Sequence, residues 1–243
     1  MIIDCISDLH GHYPKLEGGD LLIVAGDLTA RDDDFGYAEF QKWFLSQKYK
    51  KKIFIGGNHD NQIQNATFPL YIDGFSEYLC DSGTEFALYP PLEMMEEGKI
   101  YERQKVKIWG SPWTLRFEGM NPHCMAFTCE TEEELAEKWA TIPDDIDILV
   151  THSPPKFGLD KTKNQKNVGS ESLTNWVLAH HPRLHIFGHI HESYGMITCE
   201  EIQRLNIILF GNINNKLAHT TIVNASHVNE RYEPVNRPIR IEL

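Results

Sequence analysis

The chain predicts an α/β protein, with helices on the faces of a largely parallel sheet. Three observations carry this. Short apolar runs rich in Ile and Val recur at residues 2–6, 21–25, 53–55, 148–150 and 184–187, the pattern of strands buried on both faces. Segments with helical spacing lie between several of them, at 37–46, 131–140 and 172–180. Each apolar run is followed at once by a polar cluster drawn from Asp, His, Asn and Gly, and in such folds ligands bind just beyond the carboxyl ends of the strands.

The first run leads into Ser7-Asp8-Leu9-His10-Gly11 and the second into Gly26-Asp27. Residues 37–46 place Phe40, Trp43 and Phe44 along one side of a helix, and Lys48, Lys50, Lys51 and Lys52 then read as a solvated approach to the third strand. That strand leads into Gly56-Gly57-Asn58-His59-Asp60. Between 75 and 119 the pattern changes. Residues 101–109 suggest a hairpin of short alternating strands with 109–113 as a turn, so a mixed sheet is expected. Thr131 and Glu134 form a capping-box pattern ahead of Leu135 and Trp139. The fourth run leads into Thr151-His152-Ser153-Pro154-Pro155. Residues 172–180 read as a short amphipathic helix, closed by His180 and His181 before Pro182, and the fifth run leads into Gly188-His189-Ile190-His191. Residues 207–210 suit a strand, the Asn-rich 211–215 a turn, and 239–243 an alternating edge strand.

With 243 residues and 41% hydrophobic side chains, a single domain spanning 1–243 can bury a full core without disulfides or structural metal. Five widely spread cysteines suit a reducing, cytoplasmic setting. No apolar run approaches the ~20 residues that cross a bilayer, and the N-terminus lacks a secretory signal pattern, so no membrane partner is expected. A formal charge of −12 argues against long nucleic acids as partners. Twelve histidines remain to be explained.

Asp8 and His10 lie two residues apart on an extended segment, so both can reach one metal ion. Asp27 adds a carboxylate, Asn58 an amide oxygen, and His152, His189 and His191 imidazole nitrogens. Oxygen and nitrogen donors without thiolate suit Mn, Fe, Zn, Ni or Co, and fit a two-metal hydrolytic centre better than a structural zinc.

In this order, Asp8-x-His10, Gly26-Asp27, Gly57-Asn58-His59-Asp60, His152 and Gly188-His189-x-His191 resemble the calcineurin-like metallophosphoesterase superfamily. Gly110-Ser111-Pro112-Trp113, Thr151-His152-Ser153-Pro154-Pro155, the run from Phe187 to Gly195, and Ile222-Val223-Asn224-Ala225-Ser226 are similar to its small metallophosphoesterase-domain-containing branch, brain-expressed and microbial. The resemblance implies a four-layer α/β/β/α sandwich of two mixed sheets flanked by helices. It implies one metal held by Asp8, His10, Asp27 and His191, and a second held by Asp27, Asn58, His152 and His189, with Mn first and Fe, Zn, Ni, Co or Mg as alternatives. His59 would contact the phosphate and protonate the leaving alkoxide, oriented by Asp60, while a metal-bridging hydroxide attacks phosphorus. Small phosphodiesters, cyclic nucleotides included, are the substrates this implies. A phosphomonoesterase, a nuclease and a non-catalytic interaction module are the alternatives. Between 195 and 220 the chain looks longer than the compact branch, and Lys156, Lys161, Lys163 and Lys166 fall in the loop behind His152, where they could attract anions. Asn224 and Ser226 are candidates for site support.

Overall fold

The computed structural model describes residues 1–88, 104–117, 119–156, 158–198 and 220–243. One five-stranded sheet has the order β13-β1-β2-β3-β4. It comprises β1 (Ile2–Ile6), β2 (Gly19–Ala25), β3 (Tyr49–Ile55), β4 (Ser76–Tyr78) and β13 (Ile239–Glu242), with β1 to β4 parallel and β13 antiparallel to β1. A six-stranded sheet has the order β11-β12-β10-β9-β6-β5. It comprises β5 (Ser82–Leu88), β6 (Gln104–Ser111), β9 (Ile148–Thr151), β10 (Leu184–Phe187), β11 (Gly195–Ile197) and β12 (Thr221–Asn224). β6, β9, β10 and β12 run parallel, and β5 and β11 are antiparallel edges. β7 (Thr114–Leu115) and β8 (Thr128–Cys129) form a separate parallel pair.

Strand alternation explains the layering. Leu21, Ile23 and Ala25 of β2, with Ile3, Ile53 and Ile55, meet Ile108, Ile148, Val150, Leu184, Ile186 and Val223 of the second sheet in one core. Leu22 and Val24, on the opposite face of β2, pack with Phe54 against Tyr37, Phe40, Trp43 and Phe44 of α1 (Asp34–Ser46), and Ile63 of the short α2 (Asn61–Gln64) joins them. Leu149 of β9 packs outward against Leu135 and Trp139 of α3 (Glu132–Trp139) and Leu173, Trp176 and Val177 of α4 (Glu171–His180). Two mixed sheets are thus sandwiched between helices.

Caps set the helix starts. Asp33 accepts from Gly36 N at 2.7 Å, which starts α1 three residues before the apolar pattern does. Thr131 accepts from Glu134 N, while the Glu134 carboxylate reaches back to Glu130 N at 2.7 Å. Ser170 accepts from Leu173 N, and His180 Nδ1 bonds Trp176 O at 2.8 Å in the last turn of α4 before His181 turns left-handed.

Two sequence expectations change. The third strand begins at Tyr49, and its lysines are paired rather than solvating an approach. Lys50 meets Asp20 at 2.8 Å, Lys51 meets Glu77, and the almost fully buried Lys52 bonds Leu45 O and Asp73. Residues 109–111 are not a turn: β6 runs through them, because Gly110 and Ser111 pair with β9. The antiparallel partner is the preceding β5, which makes the sheet mixed. Of the 195–220 segment, β11 forms an edge on β12, whereas the strand expected at 207–210 and the turn at 211–215 lie outside the described residues.

Candidate active site

The parallel strands β1, β2, β3, β9, β10 and β12 all deliver their carboxyl ends to one rim. Backbone bonds across the loops lock it: Asp8 N to Gly26 O, His10 N to Asp27 O, Ser7 N to Ala225 O, His227 N to Ser7 O and Gly188 N to His152 O. The polar clusters of the sequence converge there. Asp8, His10, Asp27 and His191 present ligand atoms that all lie within 4.8 Å of one another, and among the described residues this cluster is able to hold a metal ion. His10 Nε2 is 3.5 Å from Asp27 Oδ2 and 3.3 Å from His191 Nε2, which is 3.2 Å from Asp8 Oδ1.

Asp27 turns its other oxygen to a second group. Oδ1 is 3.3 Å from His152 Nε2, and the Asn58 carbonyl oxygen lies 3.2 Å from His152 Nε2 and 2.9 Å from His189 Nδ1. Ligands that share one divalent ion at about 2.0–2.2 Å stand about 3.0–3.5 Å apart, and these separations fall in or near that range. The facing Nε2 atoms of His10 and His191 also suit a cation between them better than an imidazole pair.

Remote nitrogens set the tautomers. His152 Nδ1 donates to Ala25 O at 2.8 Å and His191 Nδ1 to Asn229 O at 3.2 Å, which leaves each Nε2 as a lone-pair donor for a metal. Asp8 is held by His189 N and by the Ser226 hydroxyl at 2.7 Å; the Ser226 hydroxyl and amide also face the Asn224 side-chain carbonyl, at 2.8 and 3.2 Å, and the Asn224 NH2 donates to Ile190 O and Leu159 O. Asp8, His10, Asp27 and His189 adopt left-handed backbone, with φ of 51°, 42°, 54° and 68°. Such strain in non-glycine residues collects at functional sites.

Two glycines allow the close approach. A Cβ on Gly57 would lie 2.3 Å from Asp27 Oδ1, and one on Gly188 would lie 2.0 Å from Asp8 Oδ2.

Electrostatics follow from the crowding. Burial opposes ionisation of Asp8 and Asp27, yet neighbouring imidazoles, His191 for Asp8 and His152 for Asp27, hold both carboxyls below the usual range. Burial also opposes a charged His152, but Asp27 and Asp8 offset it and push the imidazole up to about 9. Burial pushes His10 down to about 4 and His189 to about 3, in the neutral form that ligates metal.

His59 stands beside the two clusters, partly exposed, with Nε2 3.9 Å from Asp27 Oδ2 and its ring 4.6 Å from that of His10. It opens on a cleft of ≈ 520 Å³ lined also by His10, His12, Arg31, Asn121, Cys124 and Tyr232. Asp60 does not orient this ring. Its buried carboxylate accepts from the amides of Gly57 at 2.8 Å, Asp27 at 3.0 Å and Leu28 at 3.1 Å, and from Tyr37 OH, so it ties the loops after β2 and β3 together. Burial and the Asp27 charge push Asp60 up to about 8. On the other side of the ring, Cys124 Sγ lies 3.3 Å from His59 Nδ1.

The lysines of the loop behind His152 do not line this cleft. Lys156 pairs with Glu171, and the loop packs on the turn after His191 through Ser193 Oγ to Lys161 O and Lys163 N to Glu192. Arg31 supplies the cation instead. His185 is packed within β10, 2.8 Å from Thr151 Oγ1. Arg31, Cys124 and Tyr232 carry no motif and reach the site through loops.

Residues 1–193 match the family described as Calcineurin-like phosphoesterase. The chain is 34% identical to Metallophosphoesterase domain-containing protein 1 of Homo sapiens over 98% of its length and 70% of that protein's, and equally to the Mus musculus protein of that name. A UPF0046 protein of Caenorhabditis elegans is 28% identical over 98% of this chain and 59% of its own. A solved crystal structure at 13% identity superimposes with a TM-score of 0.51, covering 92% of this chain and 89% of the other, which is a likeness of fold. The chain belongs to the calcineurin-like metallophosphoesterases, a phosphoester hydrolase family.

Proposed function

We propose that the protein is a dinuclear metal-dependent phosphodiesterase acting on small esters. The observation that carries this reading is the pair of donor groups that share Asp27. Asp8, His10, Asp27 and His191 would hold one ion; Asp27, Asn58, His152 and His189 would hold the other, the mixed oxygen and nitrogen donors suiting Mn, Fe, Zn, Ni or Co, of which Mn is the first to test. When bound, two such ions would neutralise charge on the phosphoryl oxygens and supply an activated water as nucleophile.

The chain's own groups do the rest. His59 faces the cleft beside Asp27, where its Nε2–H can bond a phosphoryl oxygen and steady the charge on the departing alkoxide. Asp60 holds the backbone that presents Asp27 and His59. The cleft volume suits a small ester, and the chain's charge of −12 disfavours a long polyanion. We treat residues 1–243 as one catalytic unit, supported by β12 and β13, which lie beyond the matched residues yet complete both sheets. A cytoplasmic location is supported by free thiols at Cys5, Cys80, Cys124 and Cys129.

The test is hydrolysis of bis(p-nitrophenyl) phosphate with Mn, alongside cyclic nucleotides and aryl monoesters. His59→Ala and Asp27→Asn should each lower kcat by at least about a hundredfold. Activity surviving in both variants overturns the reading, and turnover of monoesters alone reassigns the substrate.

A further inference from the structure

We infer that Cys124 is the positioning residue of His59: its thiol donates to Nδ1 and so keeps the imidazole proton on Nε2, facing the substrate cleft. This deepens the proposed phosphoesterase reading and rests on it.

Two observations on opposite sides of the ring agree. Cys124 Sγ lies 3.3 Å from Nδ1, and the Asp27 carboxylate lies 3.9 Å from Nε2. A thiol is a weak donor and a weaker acceptor, while a carboxylate only accepts. An Nδ1 that accepts from the thiol leaves the ring proton on Nε2, on the side where the Asp27 charge favours it.

The placement is built rather than incidental. The loop carrying Cys124 is joined to the segment carrying His59 on either side of it. Asn58 Nδ2 donates to Cys124 O at 3.2 Å, Ala126 N donates to Asn58 O at 3.1 Å, and Asn61 Nδ2 donates to His123 O at 2.8 Å. Cys124 N is itself held by Asn121 O at 2.9 Å. One residue therefore serves two neighbours: its carbonyl turns the Asn58 amide so that the oxygen faces His152 and His189, and its thiol fixes the ring next door. This role falls to Cys124 because the Asp60 carboxylate is committed to backbone amides.

The consequence concerns the hydrogen bond offered to the leaving group: the neutral imidazole aims Nε2–H at the departing oxygen and keeps its proton, and the alkoxide is protonated by solvent once released. If Nε2–H must be aimed, esters of poorly stabilised alkoxides depend on Cys124, whereas p-nitrophenolate leaves with little help. Cys124→Val removes the donor at similar volume, and Cys124→Ser restores a hydroxyl donor. With Mn, Cys124→Val should lower kcat for an alkyl phosphodiester about tenfold and for bis(p-nitrophenyl) phosphate about twofold or less, with KM unchanged in both. Cys124→Ser should recover most of the loss. Long-range ¹H–¹⁵N NMR of His59 in metal-free protein should report the Nε2–H tautomer in the wild type and in Cys124→Ser, and a mixture in Cys124→Val.

An Nδ1–H tautomer in the wild type overturns the inference, as does a Cys124→Ser variant no better than Cys124→Val. The NMR result is read without turnover. A wild type that hydrolyses no phosphoester while showing the Nε2–H tautomer overturns the proposed function and leaves the Cys124 contact standing.

Discussion

Ser226 and Asp8 are 218 residues apart in the chain and 2.7 Å apart in the site. The bond holds Asp8 Oδ2, while Asp8 Oδ1 lies 3.2 Å from His191 Nε2. Removing such a support costs roughly 10–100-fold in metal affinity. Ser226→Ala should weaken Mn binding by that factor in isothermal titration calorimetry while thermal unfolding of the metal-free protein stays close to wild type; unchanged affinity would show that Asp8 needs no second partner. The candidate ligand residues are legible because each lies in a short polar cluster directly after an apolar run. Ser226 was legible only as a candidate support, since its partner is distant in sequence. Cys124, Arg31 and Tyr232 were not legible at all, because a loop residue announces its direction through tertiary contacts, not through periodicity.

At the scale of elements, β10 shows how a strand end is shaped around the site. Its neighbour Gly188 has no room for a Cβ beside Asp8 Oδ2 and Ser7 Oγ, so Gly188→Ala should displace the carboxylate and abolish high-affinity Mn binding, as read by the same titration. Retained affinity would mean that the loop relaxes freely. Within β10, His185 is buried, accepts no partner at Nδ1, and is pushed down to about 3 by burial. Its folded-state value lies below the unfolded 6.5, so the unfolded chain binds the extra proton as pH falls. Stability is full above pH 6.5 and is lost on acidification towards pH 3, with a slope of up to about 1.4 kcal/mol per pH unit from this residue. His10 and His189 add slopes of the same sign in metal-free protein. His185→Leu should therefore flatten, without abolishing, the loss of urea stability between pH 7.5 and 5; an unchanged slope would contradict a neutral buried His185. Element boundaries were read less well than element identities. The lysines of β3 concealed its first four residues, because their pairing with Asp20, Glu77 and Asp73 is invisible to a hydropathy pattern. The strand β6 was mistaken in part for a turn because Gly110 there serves close packing against Leu79 and Ile55 rather than chain reversal.

For the whole molecule, the two sheets matter because each supplies part of each donor group: Asp8, His10, Asp27 and Asn58 come from the first, and His152, His189 and His191 from the second. Closure of the first sheet depends on β13, where Arg240 makes two 2.8 Å bonds to the buried Asp4 carboxylate opposite it. Arg240→Ala should cost about 1.5–3 kcal/mol in urea unfolding, the range for hydrogen bonds to a charged group; a change under about 0.5 kcal/mol would show that Tyr49 alone satisfies Asp4. Among the described residues no helix is long and apolar enough to cross a membrane. Two divalent ions at this site would offset a third of the −12 charge. The most direct measurement is metal content per chain after reconstitution with Mn and removal of loosely bound ion, compared with His189→Ala. The account predicts two ions in the wild type and one in the variant, with phosphodiester turnover tracking the second ion. A wild type that binds one ion or none at saturation would contradict it.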